Sequence, residues 1–183
     1  RRQRQMCIRD RFSMDQNACA CPRVVFWRES SMETGGRAAD RFWNALAQAA
    51  KRYGLTENKV SLKYGDFWRF AGSGARIGQV RRYGNRLYVT EMKDIAGMTS
   101  EQRMRFGSFL EYHMKNGEEW INAVTEKTQA LVFFGVEKQE FRESVLHHRL
   151  RGTHQIVPVG QTLWMDLVWD GKDMIQALSR TIR

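Results

Sequence analysis

Arginine and tyrosine side chains recur along residues 76–93 in a pattern that suits contact with nucleic acid. This segment, RIGQVRRYGNRLYVTEMK, has the alternation of two strands on either side of Gly84-Asn85, a dipeptide typical of a two-residue hairpin turn. Such a turn pairs Arg81 with Tyr88 across the hairpin. One face of the hairpin then carries the candidate nucleic-acid-binding residues, which are Arg81, Tyr83, Arg86 and Tyr88.

Guanidinium groups bind phosphates and tyrosine rings stack on unpaired bases, so this face suits single-stranded nucleic acid. The same register sends Val80, Leu87 and Val89 to the other face, where they pack on the core. The alternative is a solvated face in which each tyrosine covers the stem of a neighbouring arginine and binds nothing. The sequence thus predicts a non-catalytic domain that binds DNA or RNA and needs no cofactor.

The second hairpin strand offers a different chemistry. Glu91 and Lys93 are two residues apart, so they share a strand face where a metal ion and a scissile phosphate can meet both side chains. Gly78, opposite Glu91 in the predicted register, leaves room for them. The E-x-K spacing resembles half of the PD-(D/E)xK nuclease motif, which implies a nuclease dependent on Mg²⁺ or Mn²⁺. That motif needs an earlier acid; residues 76–83 contain none, and Asp66 is the nearest candidate.

Cysteine and histidine residues give weaker signals. The run CACP at residues 19–22 lacks the second ligand pair of a zinc site. His147 and His148 are adjacent on a predicted helix and point about 100° apart, so they do not readily share one ion. We expect no metal site outside the nuclease alternative. A protein-interaction module, whose basic face meets an acidic partner, is the second alternative.

Periodicity predicts the elements that position these residues. Apolar spacings of three and four predict a helix over residues 37–53, whereas alternation over residues 59–70 predicts a strand, a bend and a second strand. A capping box at Thr99 and Gln102 predicts a helix that ends near Asn116. Later patterns predict a short helix at 118–127, a buried central strand at 129–134, a helix at 138–150, strands at 155–159 and 163–169, and a final helix capped by Asp170. A hairpin or meander followed by interleaved helices and strands is typical of an α+β fold with a single layer of sheet packed by helices.

The first 31 residues are expected to lie outside the folded domain. Residues 1–11, RRQRQMCIRDR, look like translated sequencing adapter, and residues 13–31 show no period beyond the apolar run at 24–27. We therefore expect a non-native or disordered tail over residues 1–31. The remaining residues, 32–183, form a single α+β domain whose length suits one core.

Charge and cysteine content bound the function further. The chain carries a net charge of +10, of which the five arginines and one aspartate of residues 1–12 supply +4. Residues 13–31 are neutral, which leaves +6 for the predicted domain and favours an anionic partner. All three cysteines fall in the expected tail, and no apolar run approaches the roughly 18 residues of a membrane helix. With no signal peptide evident, we expect a cytoplasmic protein.

Overall fold

The computed structural model describes residues 15–17, 21–28, 32–95, 104–162, 164, 166–169 and 171–180, and it confirms the α+β class. The elements in chain order are β1 (Val24–Arg28), α1 (Met32–Ala50), α2 (Glu57–Gly72), β2 (Ile77–Tyr83), β3 (Leu87–Met92), β4 (Ser108–Met114), a 3₁₀ turn (Glu119–Ala123), β5 (Ala130–Phe133), α3 (Lys138–His147), β6 (Gln155–Pro158), β7 (Val168–Trp169), β8 (Lys172–Asp173) and α4 (Met174–Leu178). Within these described residues, no helix is long and apolar enough to cross a membrane.

The main sheet has four strands in the order β1, β4, β3, β2. β4 runs parallel to both β1 and β3, and only β2 is antiparallel to its neighbour. β5 and β6 form a separate parallel pair, and β7 and β8 a short antiparallel pair. β5 therefore lies in a two-stranded sheet and is not the central strand that its apolar run predicted, although its position is as expected.

Helix α1 covers one face of the main sheet. Its stripe of buried residues includes Trp43 and Leu46, and these pack on Leu87 of β3 and Phe109 of β4 in one cluster. Burial at this helical spacing stabilises both partners, with each fully buried large side chain worth about 1.5–3 kcal/mol. The predicted helix over residues 37–53 is thus confirmed.

Helix α2 covers the other face, where the sequence predicted two strands. The strand prediction for residues 59–70 is wrong because the buried positions, Lys63 and Phe70, are seven apart and lie on one helical face. Alternation of Val60, Leu62 and Tyr64 suggested a strand, but Leu62 is 49% exposed and Tyr64 45% exposed. A lysine at a core position hid the helical period.

Strand β4 replaces the end of a predicted helix. Phe109, Leu110 and Met114 fit a helical stripe, yet Ser108 and Glu111 between them are also buried, as in a strand covered on both faces. The predicted start of that helix, at residues 99–102, lies outside the described residues. The short helix predicted at 118–127 is a 3₁₀ turn, and the final helix is capped by Asp173 and not by Asp170.

A strand of the main sheet precedes the domain boundary expected at Met32. Residues 24–28 form β1, which pairs in register with β4 from Val24↔Leu110 to Arg28↔Met114. Gln16 is 3% exposed and Cys21 5% exposed, so the segment before β1 reaches the core as well. Five residues that pair with a strand more than 80 positions away leave little local signal, since parallel pairing needs a long connection. Residues 1–14, which carried the adapter interpretation, lie outside the described residues.

Candidate functional site

The hairpin exists, but its register differs by one residue from the prediction. Tyr83 pairs with Leu87 and Arg81 with Val89, so the loop holds three residues, Gly84 to Arg86, instead of two. Gly84 adopts a φ of 59°, which glycine tolerates without strain. A one-residue slip moves every side chain of one strand to the opposite face of the sheet relative to the other strand. The four predicted binding residues therefore do not share one exposed face.

Arg81 and Tyr83 lie on the face covered by α1. The Arg81 guanidinium pairs with the Glu111 carboxylate of β4 and with Asp40 of α1. The same carboxylate accepts hydrogen bonds from the indole nitrogens of Trp43 at 2.6 Å and Trp27 at 3.0 Å. The Glu111 side chain is only 3% exposed, so Arg81 serves as the counter-charge of a buried acid. Its charge is largely neutralised before any phosphate could reach it.

The Tyr83 hydroxyl reports the same environment. Burial raises its pKa above the usual value of 10.0, and Asp40 and Glu111 add to the rise, while Arg81 opposes it. Tyr83 packs against the α1 cluster and so supports the core. A ring used in this way is not a free stacking surface.

Tyr88 and Arg86 lie elsewhere. Tyr88 is 2% exposed on the α2 face, with the Lys63 ammonium 4.0 Å from its ring centroid and Arg82 donating to its hydroxyl at 3.1 Å. Arg86 is exposed in the hairpin loop and donates to the Tyr53 carbonyl at 3.4 Å. The structure thus places the four predicted residues on two faces and in the loop of the hairpin. Nucleic-acid binding stays a prediction, although the single basic and aromatic face expected for it does not form.

The residues of the nuclease alternative are also divided. Glu91 and Lys93 are neighbours, with 3.7 Å between Nζ and Oε1, and Glu91 accepts the Gln79 amide at 2.8 Å. The space opposite Gly78 is filled by these side chains: a Cβ there would lie 2.5 Å from Glu91 Oε2. Asp66 is on α2 and pairs with two arginines, accepting from Arg105 at 2.7 and 3.0 Å. Nuclease activity stays a prediction.

The Asp66 carboxylate is occupied by two arginines, Arg69 and Arg105. The bidentate bond from Arg105 to Asp66 raises the pKa of that guanidinium further, which keeps the arginine charged. Among the residues that the structure describes, no three His, Cys, Asp or Glu side chains form a group that could hold a metal ion. The described geometry of Asp66 is that of an ion pair joining α2 to the chain before β4.

A strained junction before β4 is the most unusual part of the described chain. Asp15, Gln16 and Phe106 all have left-handed backbone angles, with φ of 53°, 63° and 56°. For residues other than glycine this conformation costs on the order of 1–3 kcal/mol each, and such strain gathers at active sites. The Phe106 amide donates to the Asp15 carbonyl at 3.2 Å, so the strained residues touch.

Side chains hold this junction from several directions. The Gln16 amide donates to the Ser108 carbonyl at 2.7 Å and accepts from the Gly107 amide at 2.9 Å. Lys59 of α2 pairs with the Asp15 carboxylate at 2.9 Å. The segment at residues 15–17, which we call the Gln16 segment, is therefore fixed against the Phe106–Ser108 turn just before Cys19 and Cys21 in the sequence.

Sequence reasoning missed the Gln16 segment because the surrounding 13–31 stretch has no period. A polar residue gives no hydrophobic signal, and a single glutamine that bonds two backbone groups of a distant turn is invisible without coordinates. The cysteines were noticed only as a failed zinc motif. Cys21 is buried, whereas Cys7 and Cys19 lie outside the described residues.

Comparison with known proteins shows the fold. No protein-family model matches the chain, and no curated protein sequence matches it. A variant of proline utilization A from Bradyrhizobium japonicum has a TM-score of 0.55 at 15% identity, and the match covers 85% of this chain and 17% of that one. Succinic semialdehyde dehydrogenase from Streptococcus pyogenes, solved with NADP⁺, has a TM-score of 0.52 at 15% identity over 91% of this chain and 39% of that one.

An NAD-dependent benzaldehyde dehydrogenase from Corynebacterium glutamicum is similar to the same extent. Its TM-score is 0.52 at 10% identity, covering 92% of this chain and 38% of that one. At these identities the likeness concerns the fold alone. The chain spans less than two fifths of each of these three proteins and shares the architecture of that part.

Proposed function

We propose that this chain is the thiol-bearing unit of an enzyme that acts on an aldehyde or an activated acyl group. The observation that supports the proposal is the fold, since two aldehyde dehydrogenases match over 91% and 92% of the chain. Fold alone does not imply function, so the proposal also relies on the strained Gln16 segment beside two cysteines. The oxidation that a whole dehydrogenase carries out is not part of the proposal, because the chain spans only 39% and 38% of those proteins.

The chemistry follows from a thiolate near a carbonyl group. The sulfur attacks the carbonyl carbon of an aldehyde, the π electron pair moves to oxygen, and that oxygen takes up a proton to give a thiohemiacetal. With an activated ester, the same attack expels the alcohol and leaves a thioester that water later hydrolyses. Both reactions need a thiolate that is exposed and fixed in place.

The proposal assigns the nucleophile to Cys19. Cys21 is 5% exposed, so a carbonyl substrate would have little access to its sulfur. Cys19 is two residues from Asn17, at the end of the Gln16 segment, and two from Cys21. Before Cys19 in the sequence, Gln16 is hydrogen-bonded to the Phe106–Ser108 turn, and after it the chain enters β1.

A nicotinamide cofactor is not assigned to the described residues. Dinucleotide phosphates bind where a glycine-rich loop leads from a strand into a helix N-terminus. Here the glycines at 72, 74 and 78 connect the end of α2 to β2, which is the opposite order. The described residues do not fit such a cradle, so the proposed chemistry is limited to the covalent step at sulfur.

The covalent step can be tested on the chain as it is. Mixing with excess 4-nitrophenyl acetate should release a burst of one nitrophenolate per chain, with one acetyl group mapped to Cys19 by peptide mass spectrometry. Cys19→Ser should abolish the burst. The matched controls are Cys7→Ser, which should retain the burst, and Cys21→Ser, which should retain it unless the core is disturbed.

Two results would reject the proposal. One is acetylation of all three cysteines at the rate of the urea-unfolded chain, which would mean that folding activates none of them. The other is a burst that survives in Cys19→Ser. A parallel assay of nitrophenolate release with propanal added should show inhibition, because an aldehyde that forms a thiohemiacetal occupies the same sulfur.

Nucleic-acid binding is retained as a second proposal on the net charge of +10 and on Arg82 and Arg86, which are exposed in the hairpin. A Kd for single-stranded oligonucleotide that weakens steeply with salt, and weakens further in Arg86→Ala, would support it. No binding at low salt would remove it.

A further inference from the structure

A cavity of about 390 Å³ lies where the chain enters β5 and β6. Because these strands run parallel, with Ala130 opposite Gln155, the residues that precede them meet at one edge of the pair. There the Gln129 carbonyl accepts the His154 amide at 3.1 Å. The residues that line the cavity are Glu126, Lys127, Gln129, Gly152, His154 and Lys172. Its volume is within the range of small-molecule sites.

Two glycines give the cavity a defined shape. Gly152 has a φ of 87°, and a Cβ there would lie 2.5 Å from the carbonyl oxygens of Thr125 and Glu126. Gly171 has a φ of 74°, and a Cβ there would lie 3.1 Å from Nδ1 of His154. Both left-handed angles favour glycine. Three segments, which precede β5, β6 and β8, are therefore held close together around the cavity.

Three donor side chains line this cavity without a protein acceptor. Across the described ranges, no group accepts a hydrogen bond from the side chains of Lys127, His154 or Lys172, and no carboxylate pairs with them. The turn that carries Lys127 is fixed, since the Thr128 amide donates to the Thr125 carbonyl at 2.9 Å. The donors thus line one cavity while their hydrogen-bonding capacity is left for solvent or a ligand.

The acidic residues described at or beside the cavity are engaged elsewhere. The Glu126 carboxylate lies 3.5 Å from Arg151, and both side chains are exposed. Asp173 follows Lys172 in the sequence, but its carboxylate caps α4 by accepting two backbone amides, at 2.9 and 3.1 Å. Two ammonium groups at one cavity repel each other, and an anion between them offsets that repulsion. The cavity therefore favours a ligand with more than one negative charge.

We propose that this cavity binds a small molecule through a phosphate group. Lysine binds phosphate as a point charge, and the His154 imidazole can donate to a further oxygen. A phosphate monoester carries about two negative charges at neutral pH and presents three acceptor oxygens, which matches two ammonium groups and one imidazole. A single carboxylate has one charge and two oxygens and matches less well. This site does not depend on the proposed thiol chemistry.

The alternative is that Lys127 and Lys172 are solvated surface charges that attract any anion. Calorimetric titration of the full chain with phenyl phosphate at low salt separates the two. We expect one saturable site with a Kd on the order of 0.1–1 mM. Lys127→Met and Lys172→Met should each weaken binding roughly tenfold, because each removes a charge-assisted hydrogen bond. Their urea midpoints should equal that of the wild type, since both lysines are exposed.

The matched control is Lys51→Met, which removes the same charge at an exposed lysine just after α1 and should change the Kd less than about twofold. Phenylmalonate, a dianion with the same ring, is the control ligand and should bind more weakly. A short oligothymidylate without terminal phosphates presents backbone phosphates instead, and it should not displace phenyl phosphate.

Four results would overturn the proposal. The first is the absence of saturable phenyl phosphate binding up to about 10 mM. The second is an equal loss in Lys51→Met and Lys127→Met, which would mean that net charge alone attracts the anion. Phenylmalonate that binds as tightly as phenyl phosphate would reject a phosphate group as the recognised feature. Displacement by the oligothymidylate would reject a small molecule in favour of a nucleic-acid backbone.

Discussion

Replacing Arg81 by methionine should destabilise the fold, although the sequence suggested a surface residue. Arg81 pairs with Glu111, whose side chain is only 3% exposed, and Arg81 itself is 20% exposed. Removing one partner of a buried ion pair typically costs about 3–5 kcal/mol, because the remaining charge is left uncompensated. Under the nucleic-acid hypothesis Arg81 is a solvated contact, so its loss would weaken binding and leave stability unchanged.

The two indole donors reduce the expected loss. Trp43 and Trp27 still donate to Glu111 at 2.6 and 3.0 Å after Arg81 is gone, and hydrogen bonds to a charged group are worth about 1.5–3 kcal/mol each. The carboxylate is therefore not left without partners, and we expect a net loss of roughly 3 kcal/mol. In a chain of this size that lowers the Tm by about 6–12 °C.

Urea denaturation followed by tryptophan fluorescence measures this loss directly, with the wild-type m value retained. Arg76→Met is the control, since Arg76 is 75% exposed and makes a 3.5 Å surface pair with Asp94 that should be worth less than about 1 kcal/mol. Adding Glu111→Gln to Arg81→Met should restore about 1–2 kcal/mol, since the uncompensated charge is gone. An Arg81→Met protein within about 0.5 kcal/mol of wild type would refute the reasoning.

Three further changes test other parts of the structure. Gly78→Ala places a Cβ 2.5 Å from Glu91 Oε2 and should cost about 1–3 kcal/mol in urea unfolding; adding Glu91→Ala should recover most of this, and an unaffected Gly78→Ala protein would contradict the filled space opposite Gly78. Tyr88→Ala should cost about 3–5 kcal/mol because the ring is 2% exposed, whereas a loss below 1 kcal/mol would indicate an exposed ring. The pKa of Tyr83 is raised by folding, so its contribution to stability is present below pH 10 and is lost as pH rises through the folded pKa. Above pH 10 the free energy of unfolding of Tyr83→Phe should therefore fall less steeply with pH than that of the wild type. Identical slopes for the two proteins would reject the shift.

Local patterns predicted the elements whose core residues are mostly apolar. Helix α1, the hairpin strands, β5, α3 and β6 lie where the sequence placed them. The hairpin also shows the limit of such patterns, because a glycine-asparagine pair is compatible with both a two-residue and a three-residue loop. The choice between them decides every side-chain direction on one strand, and it depends on packing against α1 and α2 that no local window contains.

The strand before Met32 was not predicted, for a different reason. β1 is an edge strand of five residues whose partner, β4, follows more than 80 residues later. Its apolar run was visible, but a run of that length is compatible with a loop as well as a strand. The prediction of a tail over residues 1–31 left this strand out of the domain. It also left out Gln16 and Cys21, and with them the segment on which the proposed chemistry depends.

The wrong predictions coincide with buried polar side chains. Lys63 concealed the helical period of α2, Glu111 the strand character of β4, and Gln16 the participation of the first segment. Lys63 and Gln16 both bond the left-handed turn at Phe106, Lys63 to the Phe106 carbonyl and Gln16 to the Gly107 amide, and Glu111 accepts a hydrogen bond from Trp27 of β1. A core of apolar residues would avoid the cost of burying these three polar groups. Places where local rules fail in this way are expected to be functional or strained, and here two of the three buried polar side chains, Lys63 and Gln16, meet at the strained turn of Phe106.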